Sequence, residues 1–302
     1  MKLTGLHFLL TYQCNFECDH CFVWGSPRQS GVMTMADIRE ALLQAKATGT
    51  VNEVHFEGGE PFLYYATLLK AIRLAYEMGF EVGIVSNGYW ATSLEDAQAA
   101  LEPFSGCLNT LSVSTDLFHY NEFVSDQARF SEEIAKTLNI PASTISIAAP
   151  KENVDSCIEE SRGTLPPGES GVMYRGRAAV NLIEKAGRSP WESFTECPFE
   201  DLVEPGRVHL DALGNLHICQ GIIIGNIREK PLKDICANYD PHVHPIVKAL
   251  LEGGPAALVK QFDLPHAEGY ADACHLCYTS RVLLRERFPE WLGPDQMYGV
   301  NL

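Results

Sequence analysis

Short apolar runs alternate with amphipathic stretches along the first part of the chain. Apolar runs bounded by glycine or polar residues predict strands at residues 5–12, 52–59, 80–88, 108–116, 143–150 and 171–176. Apolar positions three and four apart, or helix-capping residues, predict helices at 33–49, 62–79, 92–103, 126–138 and 152–161. Such alternation favours parallel strands joined by crossover helices. Six βα units in about 175 residues favour a partial (β/α)6 TIM-type barrel, because a closed eight-stranded barrel typically needs ~250 residues.

Helix ends carry capping signals. Thr34 is the expected N-cap of the first helix, and Gly49 lies just past its end. The third helix opens with a capping box, either Thr92 with Glu95 or Ser93 with Asp96.

The alternation ends near residue 185. A loop-rich segment is followed by a predicted hairpin at 207–221 with its turn at 212–215, then by a turn and short helix at 225–236. Cys274 and Cys277 come just ahead of a further predicted helix. We therefore expect two domains, with residues 1–185 forming the barrel and residues 186–302 a smaller, loop-rich domain.

Composition narrows the function classes. The chain has 302 residues, of which 46% are hydrophobic, and a net charge of -16. So acidic a surface repels phosphate backbones, which argues against nucleic-acid binding. No apolar run reaches the ~18 residues of a membrane span, and the first residues lack a signal-peptide cleavage site. We expect a cytoplasmic protein with no membrane partner.

The cysteines are unevenly spaced. Three of the ten, Cys14, Cys18 and Cys21, fall within eight residues, directly after the first predicted strand. Thiols stay reduced in a cytoplasm, so metal or cluster binding explains such clustering better than disulfides do. Isolated cysteines are most often small buried hydrophobes. The isolated ones here are Cys107, Cys157 and Cys236.

Small and polar residues follow the next strands. Residues 57–61 read EGGEP, residues 86–88 read SNG, and residues 112–116 read SVSTD. The loops after parallel barrel strands share one face, where catalytic sites are built. Glycines allow a ligand to approach the backbone closely, and the polar groups can bind hydroxyls. Ser112 and Ser114 should share a face of their strand, and Val113 should not.

These motifs resemble the radical S-adenosylmethionine (SAM) enzymes. Their C-x3-C-x2-C pattern on the first βα loop is matched by Cys14, Cys18 and Cys21, and their GGE motif by Gly58, Gly59 and Glu60. The resemblance implies a [4Fe–4S] cluster with three cysteine ligands, whose open iron binds SAM. A zinc site completed by His20 is the alternative for the same thiols. His20 itself departs from the aromatic residue common at this position.

The resemblance also implies SAM contacts. Gly59 and Glu60 would meet the ammonium group, Pro61 would shape the turn, and Arg175 or Arg177 could pair with the carboxylate. Each of these polar residues could instead have a purely structural role. The complete candidate set for SAM binding is Phe22, Gly58, Gly59, Glu60, Ser86, Asn87, Ser112, Ser114, Asp116 and Arg175.

Four further cysteines lie near the C-terminus. Cys197, Cys219, Cys274 and Cys277, with Gly214 ahead of Cys219, resemble the SPASM or Twitch auxiliary-cluster extension of the same superfamily. This implies a second, fully ligated [4Fe–4S] cluster. Zinc bound by the same four thiolates is the alternative, and Cys236 could replace one of the four.

The resemblance implies an oxidoreductase or maturase that cleaves SAM reductively and abstracts a hydrogen atom. The substrate is either a ribosomal peptide or protein, or a small molecule such as a sugar, cyclitol or natural-product intermediate. A non-catalytic iron–sulfur electron carrier or scaffold is the alternative of another class. A flavodoxin- or ferredoxin-type electron donor is implied. The first strand begins near residue 5, so we expect any leader-binding domain on a separate partner.

Overall fold

The computed structural model describes residues 1–122, 124–150 and 169–300. Its described strands are β1 (Gly5–Thr11), β2 (Glu53–Gly58), β3 (Glu81–Ser86), β4 (Thr110–Ser114), β5 (Ala142–Ile147), β6 (Glu169–Ser170), β7 (Ser189–Pro190), β8 (Arg207–Leu210), β9 (Asn215–Cys219), β10 (Ile222–Asn226) and β11 (Gly269–Tyr270). Its described α-helices are α1 (Met35–Thr48), α2 (Tyr65–Glu77), α3 (Leu94–Leu101), α4 (Asp126–Thr137), α5 (Ala178–Asn181), α6 (Leu232–Asn238), α7 (Pro245–Phe262) and α8 (Ala273–Leu284).

One nine-stranded sheet runs through the described residues in the order β10-β9-β8-β1-β2-β3-β4-β5-β6. Strands β1 to β6 are parallel to their neighbours, as the partial-barrel prediction requires. Strand β8 also pairs in parallel with β1, and the hairpin partners β9 and β10 are antiparallel. The predicted α/β fold is therefore confirmed, and the sheet continues past residue 185 into the proposed second domain.

The helix ends follow their capping residues. Thr34 caps α1, where its hydroxyl accepts a bond from Asp37 N at 3.2 Å and the Asp37 carboxylate accepts one from Thr34 N at 2.9 Å. Gly49 ends that helix with φ of 73°, a left-handed conformation that favours glycine. At α3, Ser93 is the N-cap and accepts from Asp96 N at 3.1 Å, so the second of the two predicted capping pairs is the one used.

The two faces of the sheet differ. Leu6 and Phe8 of β1 are fully buried in the main core, whereas His7 between them is half-buried on the opposite face. The same alternation puts Val113 of β4 in the core and leaves Ser112 and Ser114 half-buried together, as predicted. The face opposite Leu6, Phe8 and Val113 therefore carries the polar side chains His7, Ser112 and Ser114, together with the buried Leu9.

Two predicted elements are wrong in position. Residues 171–176 form no strand, and the sixth strand is Glu169–Ser170, paired with β5. At the end of this segment Gly176 packs on the first cysteine loop, where an added Cβ atom would lie 2.5 Å from O of Cys21. Helix α8 begins at Ala273, behind its N-cap Asp272, so Cys274 and Cys277 lie within the helix and not ahead of it.

Helix α7 was not predicted, and it is broken at Gly253 and Gly254. The predicted helix at 152–161, together with Cys157, lies outside the described residues. No helix in the described ranges combines the length and the apolar character needed to cross a bilayer.

Candidate functional site

Cys14, Cys18 and Cys21 lie together on the loop between β1 and α1, at the C-terminal ends of the parallel strands. All three are free, and Cys14 and Cys18 are only 7% and 8% exposed. Backbone N–H groups point at two sulfurs, from Gly25 to Cys21 Sγ at 3.2 Å and from Phe16 to Cys14 Sγ at 3.4 Å. Burial raises the pKa of Cys14 to about 12. Because burial disfavours the charged thiolate, thiolates at this loop would need a cationic partner. A metal cluster held by three neighbouring thiols is such a partner.

Arg177 holds this loop in shape. Its guanidinium is 6% exposed and donates to O of Cys18 and to O of Gly25, both at 2.8 Å. Its backbone N donates to O of Cys21 at 2.9 Å. The sequence suggested only a possible bond to the SAM carboxylate, and no spacing signal could have linked Arg177 to a loop more than 150 residues away.

Gly58 and Gly59 bring the ends of β1 and β2 together. A Cβ atom at Gly58 would lie 2.4 Å from O of Thr11, and one at Gly59 would lie 2.1 Å from O of Gln13. Gly59 N donates to O of Thr11 at 2.7 Å, and Glu60 N to O of Gln13 at 2.8 Å. The close approach that these glycines permit is therefore made by the chain's own backbone.

Glu60 is fully buried and joins the ends of β2 and β3. Its carboxylate accepts hydrogen bonds from Phe62 N at 2.9 Å, from Ser86 Oγ at 2.9 Å and from Asn87 N at 2.7 Å. Burial raises the pKa of Glu60 to about 7, although these bonds favour the charged form. The structure thus gives Glu60 a positioning role. Contact with a SAM ammonium group stays a prediction.

Asn87 connects the end of β3 to the cysteine loop. Its Nδ2 donates to Asn15 Oδ1 at 2.9 Å and lies 3.6 Å from Cys14 Sγ. Ser86 beside it accepts bonds from Gly88 N at 3.1 Å and from Trp90 Nε1 at 2.9 Å. Asn87 therefore contacts the cysteine loop and Ser86 lies next to it, whereas contact of either residue with SAM stays a prediction. Asn15 was missed because an asparagine inside a cysteine motif carries no spacing signal.

Asp116 follows β4 and faces the same loop. It is 1% exposed, with Oδ1 2.8 Å from Nδ1 of His119 and Oδ2 3.4 Å from Nε2 of His20. Burial opposes its charge, but the hydrogen-bonded His119 and the nearby imidazole of His20 hold the pKa of Asp116 well below its usual range. Ser112 lies within β4, with Oγ 3.2 Å from Ser143 Oγ, and Ser114 lies near the end of the same strand.

Arg175 lies between the two cysteine sets. Its Nη1 donates to Cys219 Sγ and to Glu200 Oε1, both at 3.3 Å. The same guanidinium lies 5.5 Å from the ring centre of Phe22, next to Cys21. Arg175 thus donates toward the C-terminal cysteines, and a bond from Arg175 or Arg177 to the SAM carboxylate stays a prediction.

Cys197, Cys219, Cys274 and Cys277 line one cavity, which we call the C-terminal cysteine cavity. Two arginines, Arg175 and Arg281, also line it, and the Arg281 side chain is 1% exposed. Cys236 instead lies on α6, buried in the main core, so the four cysteines converge without it. Two buried cations suit a set of four thiolates, because they offset negative charge that water cannot reach.

The fold and the first loop together define a class of protein, an α/β fold whose parallel strands present three cysteine thiols at their C-terminal ends. Residues 8–156 match the family model described as the radical SAM superfamily. This match spans just under half of the chain and identifies residues 8–156 as similar to radical SAM domains.

Curated relatives span different activities. A Bacillus subtilis (strain 168) protein named for peptide biosynthesis, YydG, is 29% identical over 38% of this chain and 34% of its own length. An S-adenosylmethionine-dependent nucleotide dehydratase of Fibrobacter sp. (strain UWH6) is 28% identical over 66% of this chain and 57% of its own. The chain thus spans about a third to three fifths of the relatives that it matches.

A solved structure titled "Native anSMEcpe with bound AdoMet" aligns with 95% of this chain and 97% of its own, at 12% identity and a TM-score of 0.44. A likeness at this level defines no shared activity.

Proposed function

We propose that Cys14, Cys18 and Cys21 bind a [4Fe–4S] cluster and that the chain cleaves SAM reductively. The observation that carries the proposal is the convergence of these three thiols on the first loop of a domain that matches the radical SAM family. A cubane cluster has four irons, so three protein ligands leave one iron for SAM. Loaded with this cluster and SAM, and given one electron by a donor protein, the site would supply reductive cleavage of SAM to methionine and a 5′-deoxyadenosyl radical, which would take a hydrogen atom from the substrate.

The chain's own residues position the reactants and exclude water. Arg177 sets the path of the cysteine loop through two carbonyl bonds, and Glu60 joins the ends of β2 and β3. Asn87 donates toward the loop from β3. The residues proposed to contact SAM directly remain Phe22, Gly58, Gly59, Glu60, Ser86, Asn87, Ser112, Ser114, Asp116 and Arg175.

We further propose that the C-terminal cysteine cavity binds a second [4Fe–4S] cluster, in a Twitch-like form of the SPASM arrangement. Support comes from the convergence of its four cysteines and from the two arginines that line it. A fully ligated cluster has no open iron for SAM, so its role is to accept the electron of the substrate radical. Zinc fits four thiolates as well, and metal analysis separates the two.

The proposed substrate is a ribosomal peptide or protein, and the net reaction is oxidation or cross-linking. YydG, named for peptide biosynthesis, supports this choice. A small-molecule substrate is the second candidate, since a nucleotide dehydratase is similar over a longer part of this chain. A short precursor gene beside this one would favour the peptide. A flavodoxin- or ferredoxin-type protein in the cytoplasm is the proposed electron donor.

The test is an anaerobic assay with reconstituted protein, SAM and dithionite, followed by mass spectrometry for 5′-deoxyadenosine. Formation of 5′-deoxyadenosine supports the proposal. If SAM stays intact in protein whose iron content shows a loaded first cluster, the chain is an electron carrier or scaffold and the proposal fails.

The isolated cysteines separate oxidation from epimerisation. An epimerase must return a hydrogen atom, and a thiol is the natural donor. Cys107 and Cys236 are 9% and 7% exposed, and Cys157 lies outside the described residues. Alanine at each position should leave product formation intact. Loss of product with SAM cleavage preserved in one variant would instead indicate epimerisation.

A further inference from the structure

A group of polar side chains lies on the sheet face opposite the core, apart from both cysteine sets. It consists of His7 on β1, Glu57 on β2 and His209 on β8. Nδ1 of His7 lies 3.3 Å, and Nε2 of His209 lies 2.9 Å, from the same carboxylate oxygen of Glu57. All three ligand-type atoms lie within 4.8 Å of one another. Three neighbouring strands thus bring two imidazoles and one carboxylate to a single point.

Strand register builds this group. His7 pairs with His209 of β8 on one side and with His55 of β2 on the other, so three imidazoles form a row across the sheet. The ring centres of His7 lie 4.6 Å from His55 and 5.3 Å from His209. The row ends at Gly83, where an added Cβ atom would lie 2.5 Å from Cδ2 of His55. Glycine on β3 therefore makes room for the row.

The side chains of this group are suited to binding a cation. Glu57 brings a carboxylate between two imidazoles, and each of the three side chains offers one ligand atom to the same point. A neutral imidazole nitrogen is a common metal ligand, and the carboxylate adds negative charge. The side chains of His7, Glu57 and His209 are 13%, 14% and 14% exposed, so each keeps a small area in contact with solvent.

We propose that His7, Glu57 and His209 bind one divalent transition-metal ion that is distinct from the iron–sulfur sites. Imidazole nitrogen and carboxylate oxygen form a ligand set that suits Zn²⁺, Mn²⁺ or Fe²⁺, and two histidines with one carboxylate leave coordination positions open. The separations of 2.9 and 3.3 Å are those of neighbouring ligands around an ion with ~2.1 Å bonds.

The site lies close to the first cysteine loop. The ring of Phe22, which directly follows Cys21, is centred 6.0 Å from the ring of His209. Glu57 directly precedes Gly58, the first glycine of the GGE motif. A metal ion here would bind an oxygen or nitrogen atom of a substrate with its open positions and hold that substrate beside the loop.

The experiment is a Mn²⁺ titration of the reconstituted, chelator-washed full chain, with free Mn²⁺ followed by its six-line EPR signal. Mn²⁺ prefers oxygen and nitrogen ligands to thiolates, and loaded cysteines are in any case occupied. We expect one Mn²⁺ per chain. His7→Gln and His209→Gln should each weaken binding by about tenfold or more. His242→Gln is the matched control, because His242 is exposed and lies on a loop.

Circular dichroism and iron content must match wild type in each variant, and Glu57→Gln replaces any histidine variant that fails to fold. A wild-type chain that binds neither Mn²⁺ nor, by dialysis and metal analysis, Zn²⁺ beyond its cysteine sites would overturn the proposal. So would an unchanged Mn²⁺ affinity in folded His7→Gln and His209→Gln. Because the readout counts Mn²⁺ and not SAM cleavage, failure here leaves the proposed radical SAM activity untouched.

Discussion

The two cysteine regions differ in the groups that surround their sulfur atoms. Around the first loop, the sulfurs face neutral donors, namely backbone N–H groups and the Asn87 amide. The guanidinium of Arg177 beside this loop donates to carbonyl oxygens and not to a sulfur. In the C-terminal cysteine cavity, Arg175 donates directly to Cys219 Sγ, and Arg281 also lines the walls.

The difference matches the proposed roles. Three thiols would leave a coordination position open, and the one guanidinium bonded to this loop, that of Arg177, donates to carbonyl oxygens and not to a sulfur. Four thiols would close the second proposed set, where two arginines would stabilise an added electron. The contrast suggests that the number of protein ligands decides whether a cluster can bind a further ligand. Nearby charge then sets the reduction potential of the cluster.

Removing the first set should have the largest effect. The triple variant Cys14→Ala, Cys18→Ala, Cys21→Ala should form no 5′-deoxyadenosine, because SAM loses its iron. Iron content should fall from about eight to about four per chain. Anaerobic reconstitution followed by iron and sulfide analysis checks this. Complete loss of iron, or zinc in the remaining site, would contradict the two-cluster proposal.

Removing part of the second set should separate the two roles. The double variant Cys274→Ala, Cys277→Ala should still form 5′-deoxyadenosine, whereas oxidised product should disappear because the substrate radical has no electron acceptor. Both products are measured by mass spectrometry once circular dichroism shows a native-like fold. Cys236→Ala is the control, since Cys236 lies outside the cavity. Normal product formation by the folded double variant would reduce the C-terminal cluster to a structural role.

Glu60→Ala tests the link between β2 and β3. The change removes the acceptor for Phe62 N, Ser86 Oγ and Asn87 N, so we expect the free energy of unfolding to fall by about 2–4 kcal/mol. If Glu60 also contacts the SAM ammonium group, the SAM Kd should rise by about tenfold or more. Urea unfolding and anaerobic calorimetry give the two quantities.

Glu40→Ala, at an exposed position on α1, should change the free energy of unfolding by less than about 0.5 kcal/mol. Lower stability with an unchanged SAM Kd would limit Glu60 to positioning. Unchanged stability would contradict the hydrogen bonds described above.

Arg175→Gln should have the smallest effect. Loss of the positive charge and of the bond to Cys219 Sγ should make the potential of the second cluster more negative, on the order of 50 mV. The first cluster should be unaffected. EPR-monitored redox titration measures both potentials.

Arg175→Lys keeps the charge and should shift the potential of the second cluster less. Arg207→Gln is the control, since Arg207 is 46% exposed and screened by water. A shift as large in Arg207→Gln would show that the effect is not local.

Much of the fold could be predicted from sequence because it depends on local patterns. Apolar periodicity located the first five strands, and side-chain caps such as Thr34 and Ser93 located helix starts. The first cysteine loop was also predictable, since its three thiols lie within eight residues and need no long-range contact to converge. Helix α7 was missed because two glycines interrupt its pattern.

By itself, then, the sequence determined the alternating elements, the three-thiol loop and the family that they indicate. Tertiary structure alone decided what surrounds that loop. The Arg177 bonds, the position of Arg175 at Cys219 and the row of His7, His55 and His209 join residues on distant parts of the chain. Such contacts follow from the pairing of β8 with β1 and from packing around the loop. Residue spacing cannot predict them. A long intervening chain can close in many ways at similar entropic cost, so the sequence separation does not say which residues will meet.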